Sequence, residues 1–133
     1  MLQEELRAEL SSALNLMQQT ISLTENTLFK RLYYRGKKSI SPQMVLYYMP
    51  NRLNINRLGI TVSTKIGHAV VRNRMRRLVR EAYRSEEQQC KAGYDLVVVV
   101  RSGMLNSNYR KICNSMNKML KEAGIRLADG ETL

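Results

Sequence analysis

Between Lys65 and Arg84 the chain carries arginine at positions 72, 74, 76, 77, 80 and 84, with Asn73 among them and Glu81 as the only acid. Val71, Met75, Leu78, Val79 and Ala82 recur at helical spacing and mark the face that packs inward. At about 100° per residue, Arg72, Arg76, Arg80 and Arg84 run as a ridge along the opposite side, which Arg74 and Arg77 widen. Like charges this close repel one another, so the helix loses some stability by holding them. A cationic ridge with almost no acid to neutralise it suits a polyanion.

A second group is aromatic. Phe29 is the only phenylalanine, and Tyr33 lies four residues on, so a helix there puts both rings on one face beside Lys30, Arg31 and Arg35. Two readings stay open. The rings belong to the core, or they line a groove as stacking platforms for unpaired bases, flanked by cations. Tyr47 and Thr61, on predicted strands, are candidates for the accessible face of a sheet.

Other chemistries find little support. Cys90 and Cys113 are lone thiols without C-x-x-C spacing, and His68 is the only histidine, which argues against a His/Cys metal site. His68, just before a helix, reads as a capping or packing residue. Gly67 lacks the partner glycines of a dinucleotide fingerprint or a P-loop. The 11 acids form no convincing carboxylate pair for protein-only hydrolysis. These residues describe a binding module, not a self-sufficient enzyme.

The elements that must position them follow from periodicity. Residues 3–17 form an amphipathic, mildly acidic helix suited to docking or weak self-association. Ser22 and Glu25 have capping-box spacing for a helix running to Arg35, with Gly36 at its C′ position. Met44–Met49 and Arg57–Thr64 read as strands, expected to pair as an antiparallel hairpin across the turn-rich Pro50–Asn54. The arginine helix starts near Ala69. Tyr94–Val100 is a continuous β-branched run, as in a strand buried on both faces, and completes a βαβ unit. Asn108–Glu122 is the last helix, with Tyr109, Ile112, Cys113, Met116 and Leu120 on its core stripe and Gly124 closing it.

At 133 residues, 44% hydrophobic and 25% charged, the chain is sized for one domain with a real core. Its net charge of +11 is uneven. Residues 1–25 hold one base and four acids, residues 26–84 hold 14 bases and one acid, and residues 85–133 hold seven bases and six acids. The binding charge therefore sits mid-chain, and nucleic acid is the expected partner, not a membrane. Lone thiols fit a reducing compartment, and no signal or spanning segment is visible, so the cytoplasm is expected.

The stretch Arg57-Leu-Gly-Ile-Thr-Val-Ser63, followed by Lys65-Ile-Gly, Ala69-Val-Val-Arg-Asn-Arg74 and Arg76-Arg-Leu-Val-Arg-Glu-Ala-Tyr-Arg84, resembles the signature of the bacterial ribonuclease P protein subunit. Phe29 with Tyr33 and Gly36, Val45-Leu46-Tyr47, and Gly93-Tyr-Asp-Leu-Val-Val before Arg101 extend the likeness over roughly Thr20 to Leu127. The resemblance implies an α/β (α+β two-layer) domain of order αβββαβα at residues 20–127, with a left-handed βαβ crossover. Residues 1–19 would be a helical extension and 128–133 a flexible tail.

The resemblance further implies a protein that binds a catalytic RNA and assists removal of the 5′ leader from precursor tRNA. Catalysis would reside in that RNA and its Mg²⁺, with no cofactor and no catalytic residue in this chain. Phe29, Tyr33 and Tyr47, with Arg76 and Arg80 at the edge, would line the leader cleft. Lys65, Arg72, Asn73, Arg74 and Arg77 would face the catalytic RNA. Three features depart from the family. Thr64 and His68 replace a common lysine and asparagine, so no RNA contact is carried onto either. The family is usually basic just before the aromatic helix, whereas residues 1–26 here hold Arg7 as their only base. Either Met17 is the start, or residues 1–16 are an addition. Two other readings stand beside this one: a generic RNA- or rRNA-binding module, and a protein-only nuclease.

Overall fold

The computed structural model describes residues 20–127. The expected N-terminal helix, its self-association and the expected tail lie outside the described residues. The described chain runs β1 (Thr20–Ser22), α1 (Asn26–Arg35), β2 (Lys37–Ile40), β3 (Met44–Pro50), β4 (Asn56–Thr61), α2 (Ala69–Glu86), β5 (Tyr94–Val100) and α3 (Tyr109–Glu122), with short 3₁₀ turns at Glu87–Gln89 and Ser102–Asn106. This is the expected mixed α/β architecture, with a short extra strand in front. Neither β1 nor β2 stood out in the residue pattern, since both are short and largely polar edge strands.

One sheet holds all five strands in the order β1-β4-β5-β3-β2. The expected β3–β4 hairpin does not form: β5 lies between them, antiparallel to β3 and parallel to β4. The cause is legible in burial. Leu96, Val97 and Val98 are almost wholly inaccessible, and so apolar a strand is best placed at the centre, covered on both faces and paired on both edges. The parallel β4–α2–β5 unit is as expected.

Alternation along the strands divides the apolar residues between two layers. Met44, Leu46, Leu58, Leu96, Val98 and Val100 meet α2 and α3 through Met75, Val79, Tyr83, Ile112, Met116 and Leu120. On the opposite face α1 lies on Val97 through Leu32, with Leu23, Phe29, Tyr47, Met49 and Val99 around it. Tyr83 is absent from the expected α2 stripe yet fully buried. Its hydroxyl bonds Thr20 Oγ1 at 2.8 Å and accepts from Asn56 Nδ2 at 3.3 Å, which pins β1 and β4 to α2. On α3, Met119 joins the core while Tyr109 is exposed and Cys113 only half-buried, a shift of the expected stripe. Burial pushes the Cys90 thiol up to about 12, leaving it a neutral, inert hydrophobe at ordinary pH.

Two expected caps also differ. Ser22 does not cap α1. It pairs with Leu58 in the parallel ladder, and the helix begins at Asn26, behind Glu25, whose side chain makes no capping bond. Ladder pairing satisfies several backbone groups where a side-chain cap satisfies one or two. Gly36 does end α1, but in an extended conformation, not a left-handed one. Its missing Cβ matters for space, since one would stand 2.5 Å from the Leu32 carbonyl oxygen. Gly124 closes α3 in the left-handed region at φ +73°, where glycine carries no penalty.

Candidate nucleic-acid interface

The register of β1 creates the site. β1 pairs with Asn56, Arg57 and Leu58 of β4, and the Leu23 N–H donates to the Leu58 carbonyl at 2.9 Å. There the pairing stops, so the outer edge of Gly59–Thr61 has no strand beside it among the described residues. α1 flanks that open edge on one side and α2 on the other. The result is a groove of two adjoining hollows, about 460 and 190 Å³, which share Phe29, Ile60 and Arg76. Asn26, Lys30, Tyr33 and Thr61 line the larger; Arg80, Thr24 and Gly59 line the smaller.

Phe29 is half-buried, and it lies where it does because residue 59 is glycine. A Cβ on Gly59 would stand 2.5 Å from Phe29 Cζ, so the ring rests directly on the strand backbone. Tyr33 follows on the same helical face, 6.4 Å from Phe29 between ring centroids. It meets Tyr47 of β3 edge-on at 5.0 Å, and its hydroxyl bonds Thr61 Oγ1 at 3.1 Å. The three aromatics thus form one stepped row from β4 to β3, fixed at both ends. Neither of the two open readings for Phe29 and Tyr33 is complete: one edge of each ring packs on the sheet, and the rest faces the groove.

On α2 the arginines separate by direction. Arg76 and Arg80 turn into the groove, and the Asn73 side-chain oxygen accepts from Arg76 Nη1 at 3.0 Å, steering that guanidinium. Arg74 and Arg77 line a different, outward hollow of about 460 Å³ with Asn73 and Val70, which is 82% exposed. Arg72 is half-buried, and its Nε is enclosed without a hydrogen-bond partner. Arg84 ends half-buried beside Glu81 and Tyr109, away from the groove, so the ridge expected from periodicity loses its last member. Lys65 is exposed in the turn before α2, and its N–H donates to Ser63 Oγ at 3.2 Å. His68 stands at the N-cap position of α2 with no side-chain cap bond.

The mid-chain charge is not all available for binding. Arg57 grips the buried Asp95 through two bonds, 2.6 and 2.8 Å, and Asn51 donates to the same carboxylate at 3.0 Å. The hydrogen bond to Asp95 raises the Arg57 pKa further, so this cation is structural. Among the described residues the groove lining contains no carboxylate, and Glu81 faces elsewhere. A trough with aromatic faces on one wall and guanidinium groups on the other has the chemistry that suits stacked bases and phosphates together. Gly59 and Ile60 escaped sequence reasoning as site residues, although a glycine inside a strand pattern signals close approach of another group.

Among the described residues no three of His, Cys, Asp or Glu gather to hold a metal ion. No helix among them is long and apolar enough to cross a membrane.

Comparison with known proteins supplies the family. The Ribonuclease P family model matches residues 17–124. The ribonuclease P protein component of Clostridium botulinum is 42% identical over 104 residues, covering 77% of this chain and 94% of that protein. That of Clostridium perfringens is 37% identical over 113 residues, covering 80% and 90%. Among solved structures, the RNase P protein of Staphylococcus aureus superposes with a TM-score of 0.73 at 32% identity, over 80% of this chain and 97% of that one. The RNase P protein of Thermotoga maritima gives 0.70 at 26% identity, over 77% and 96%. With the match running from one end of the described fold almost to the other, this chain belongs to the ribonuclease P protein family.

Proposed function

We propose that this chain, as the protein component of the ribonuclease P endoribonuclease, docks on the catalytic RNA with one face of α2 and holds the single-stranded 5′ leader of precursor tRNA in the groove. The observation that carries this reading is the division of α2. Arg76 and Arg80 face the aromatic row, whereas Asn73, Arg74 and Arg77 face outward. One helix then touches two RNA elements at once. Unpaired nucleotides stack on Phe29, Tyr33 and Tyr47, and Arg76 and Arg80 meet their phosphates. Arg72 and Lys65 flank the docking face. Cleavage belongs to the RNA and the Mg²⁺ it binds; the described residues offer no donor set of their own for that metal. The chain's part is to hold the leader in place beside the RNA's reactive centre. The cytoplasm, where precursor tRNA would be met, is the compartment this reading requires.

Reconstitution tests the reading. Mixing the protein with ribonuclease P RNA and a precursor tRNA at low Mg²⁺ is expected to stimulate cleavage at the mature 5′ end. Binding without stimulation would indicate a generic RNA-binding module, and cleavage without added RNA a protein-only nuclease.

Gly59→Ala probes the seat of Phe29. The new methyl lies 2.5 Å from the far end of that ring, which must lift into the groove. We expect a melting temperature close to that of the parent and a severalfold weaker affinity for leader-bearing tRNA. Unchanged affinity would mean that the height of the ring is irrelevant to the strand.

A further inference from the structure

Cross-strand register carries the groove face beyond its aromatic row. Gly59 pairs with Val97, Val97 with Tyr47, and Tyr47 with Lys38. One step along, Thr61 pairs with Val99, Val99 with Val45, and Val45 with Ile40. Directly opposed residues share a face, so both rows lie on the α1 side of the sheet. α1 covers the first row as far as Tyr47, but Val99 and Val45 are only half-buried and Ile40 is 58% exposed. From Thr61, which lines the groove, to Ile40 is three strand spacings, about 14 Å. That leaves room for a few more nucleotides of an extended strand.

At the far end Lys38 stands exposed beside Tyr47 and makes no ion pair among the described residues. Glu122 accepts from Ser39, whose side chain points to the other face of β2 from Lys38. From this arrangement we infer a distal single-strand subsite at the β2 edge, in which Lys38 meets a leader phosphate and Ile40 with Val45 supports a base. It rests on the leader-groove reading above and extends it. The simpler role for an edge lysine is to deter strand-to-strand aggregation. That role would not respond to the length of a tRNA leader.

The test uses the reconstituted RNA–protein holoenzyme and precursor tRNAs whose leaders are lengthened one nucleotide at a time. Lys38→Ala and Ile40→Asn are compared with Phe29→Ala. All three variants are expected to bind mature tRNA as the parent does. Phe29→Ala should lose affinity already with short leaders. Lys38→Ala and Ile40→Asn should match the parent on short leaders and fall several-fold behind only beyond a threshold length. On the longest leader, Lys38→Ala should flatten the log–log salt slope by about 0.7, the value for one phosphate of a single strand. If the Lys38 and Ile40 variants match the parent at every length while Phe29→Ala still loses, the subsite is wrong and the groove stands. Equal losses on mature tRNA would place Lys38 against another RNA element and also overturn the subsite. A Phe29 variant indifferent to the leader overturns both.

Discussion

Replacing Phe29 with alanine is expected to weaken holoenzyme binding of precursor tRNA by roughly 1–3 kcal/mol, the scale of a single base–aromatic stack. Binding of mature tRNA, which has no leader, should be unchanged. The folding cost should be smaller than for a true core phenylalanine, whose truncation costs about 3–5 kcal/mol. Phe29 packs only partly, with one side on Gly59 and the small cluster of Leu23, Leu32 and Val97, so about 1–2 kcal/mol is the reasonable share. Tyr33→Ala and Tyr47→Ala should act in the same direction but more mildly, since each ring also braces the other. Thermal melts run beside titrations with both tRNAs decide the matter. A large fall in melting temperature with equal losses on the two substrates would return Phe29 to a purely structural role.

The second large effect concerns docking on the catalytic RNA. Arg74 and Arg77 are exposed, line one outward hollow with Asn73, and are not among the residues that line the aromatic groove. Replacing both with alanine is expected to flatten the log–log salt dependence of protein–RNA binding by about 1.8, or about 0.9 for each phosphate of a double-stranded element that is no longer neutralised. Fold stability should hold or rise slightly, because two like charges leave a crowded helix. Arg76→Ala with Arg80→Ala should reverse the pattern, sparing the docking slope and losing affinity that depends on the leader. Titrations of ribonuclease P RNA across a salt series separate the two cases. An unchanged slope in the Arg74/Arg77 variant would mean that this face of α2 is not the docking surface.

Local patterns already placed much of this protein. The arginine helix from Ala69, the buried strand Tyr94–Val100, the last helix to within one residue at its start, and the close of that helix at Gly124 all lie where periodicity and end signals put them. Each depends on neighbours within a few residues, which a sequence displays directly. The surplus of arginine and the spacing of Phe29 and Tyr33 on one helical face were legible for the same reason.

What only the tertiary structure decided depends on neighbours distant in sequence. The insertion of β5 between β3 and β4 followed from competition for the centre of the sheet, which no single segment reveals. Ser22 had the spacing of a cap but went to a strand, because its partner Leu58 lies 36 positions further on. Six arginines on one helix look alike in sequence. Packing of α2 against β4 and α3 sends Arg76 and Arg80 to the groove, Arg74 and Arg77 outward, and Arg84 to Tyr109. Phe29 was ambiguous on similar grounds. Its exposure is set by Gly59 across a groove that exists only because β1 stops pairing at Leu58, leaving the rest of the β4 edge open.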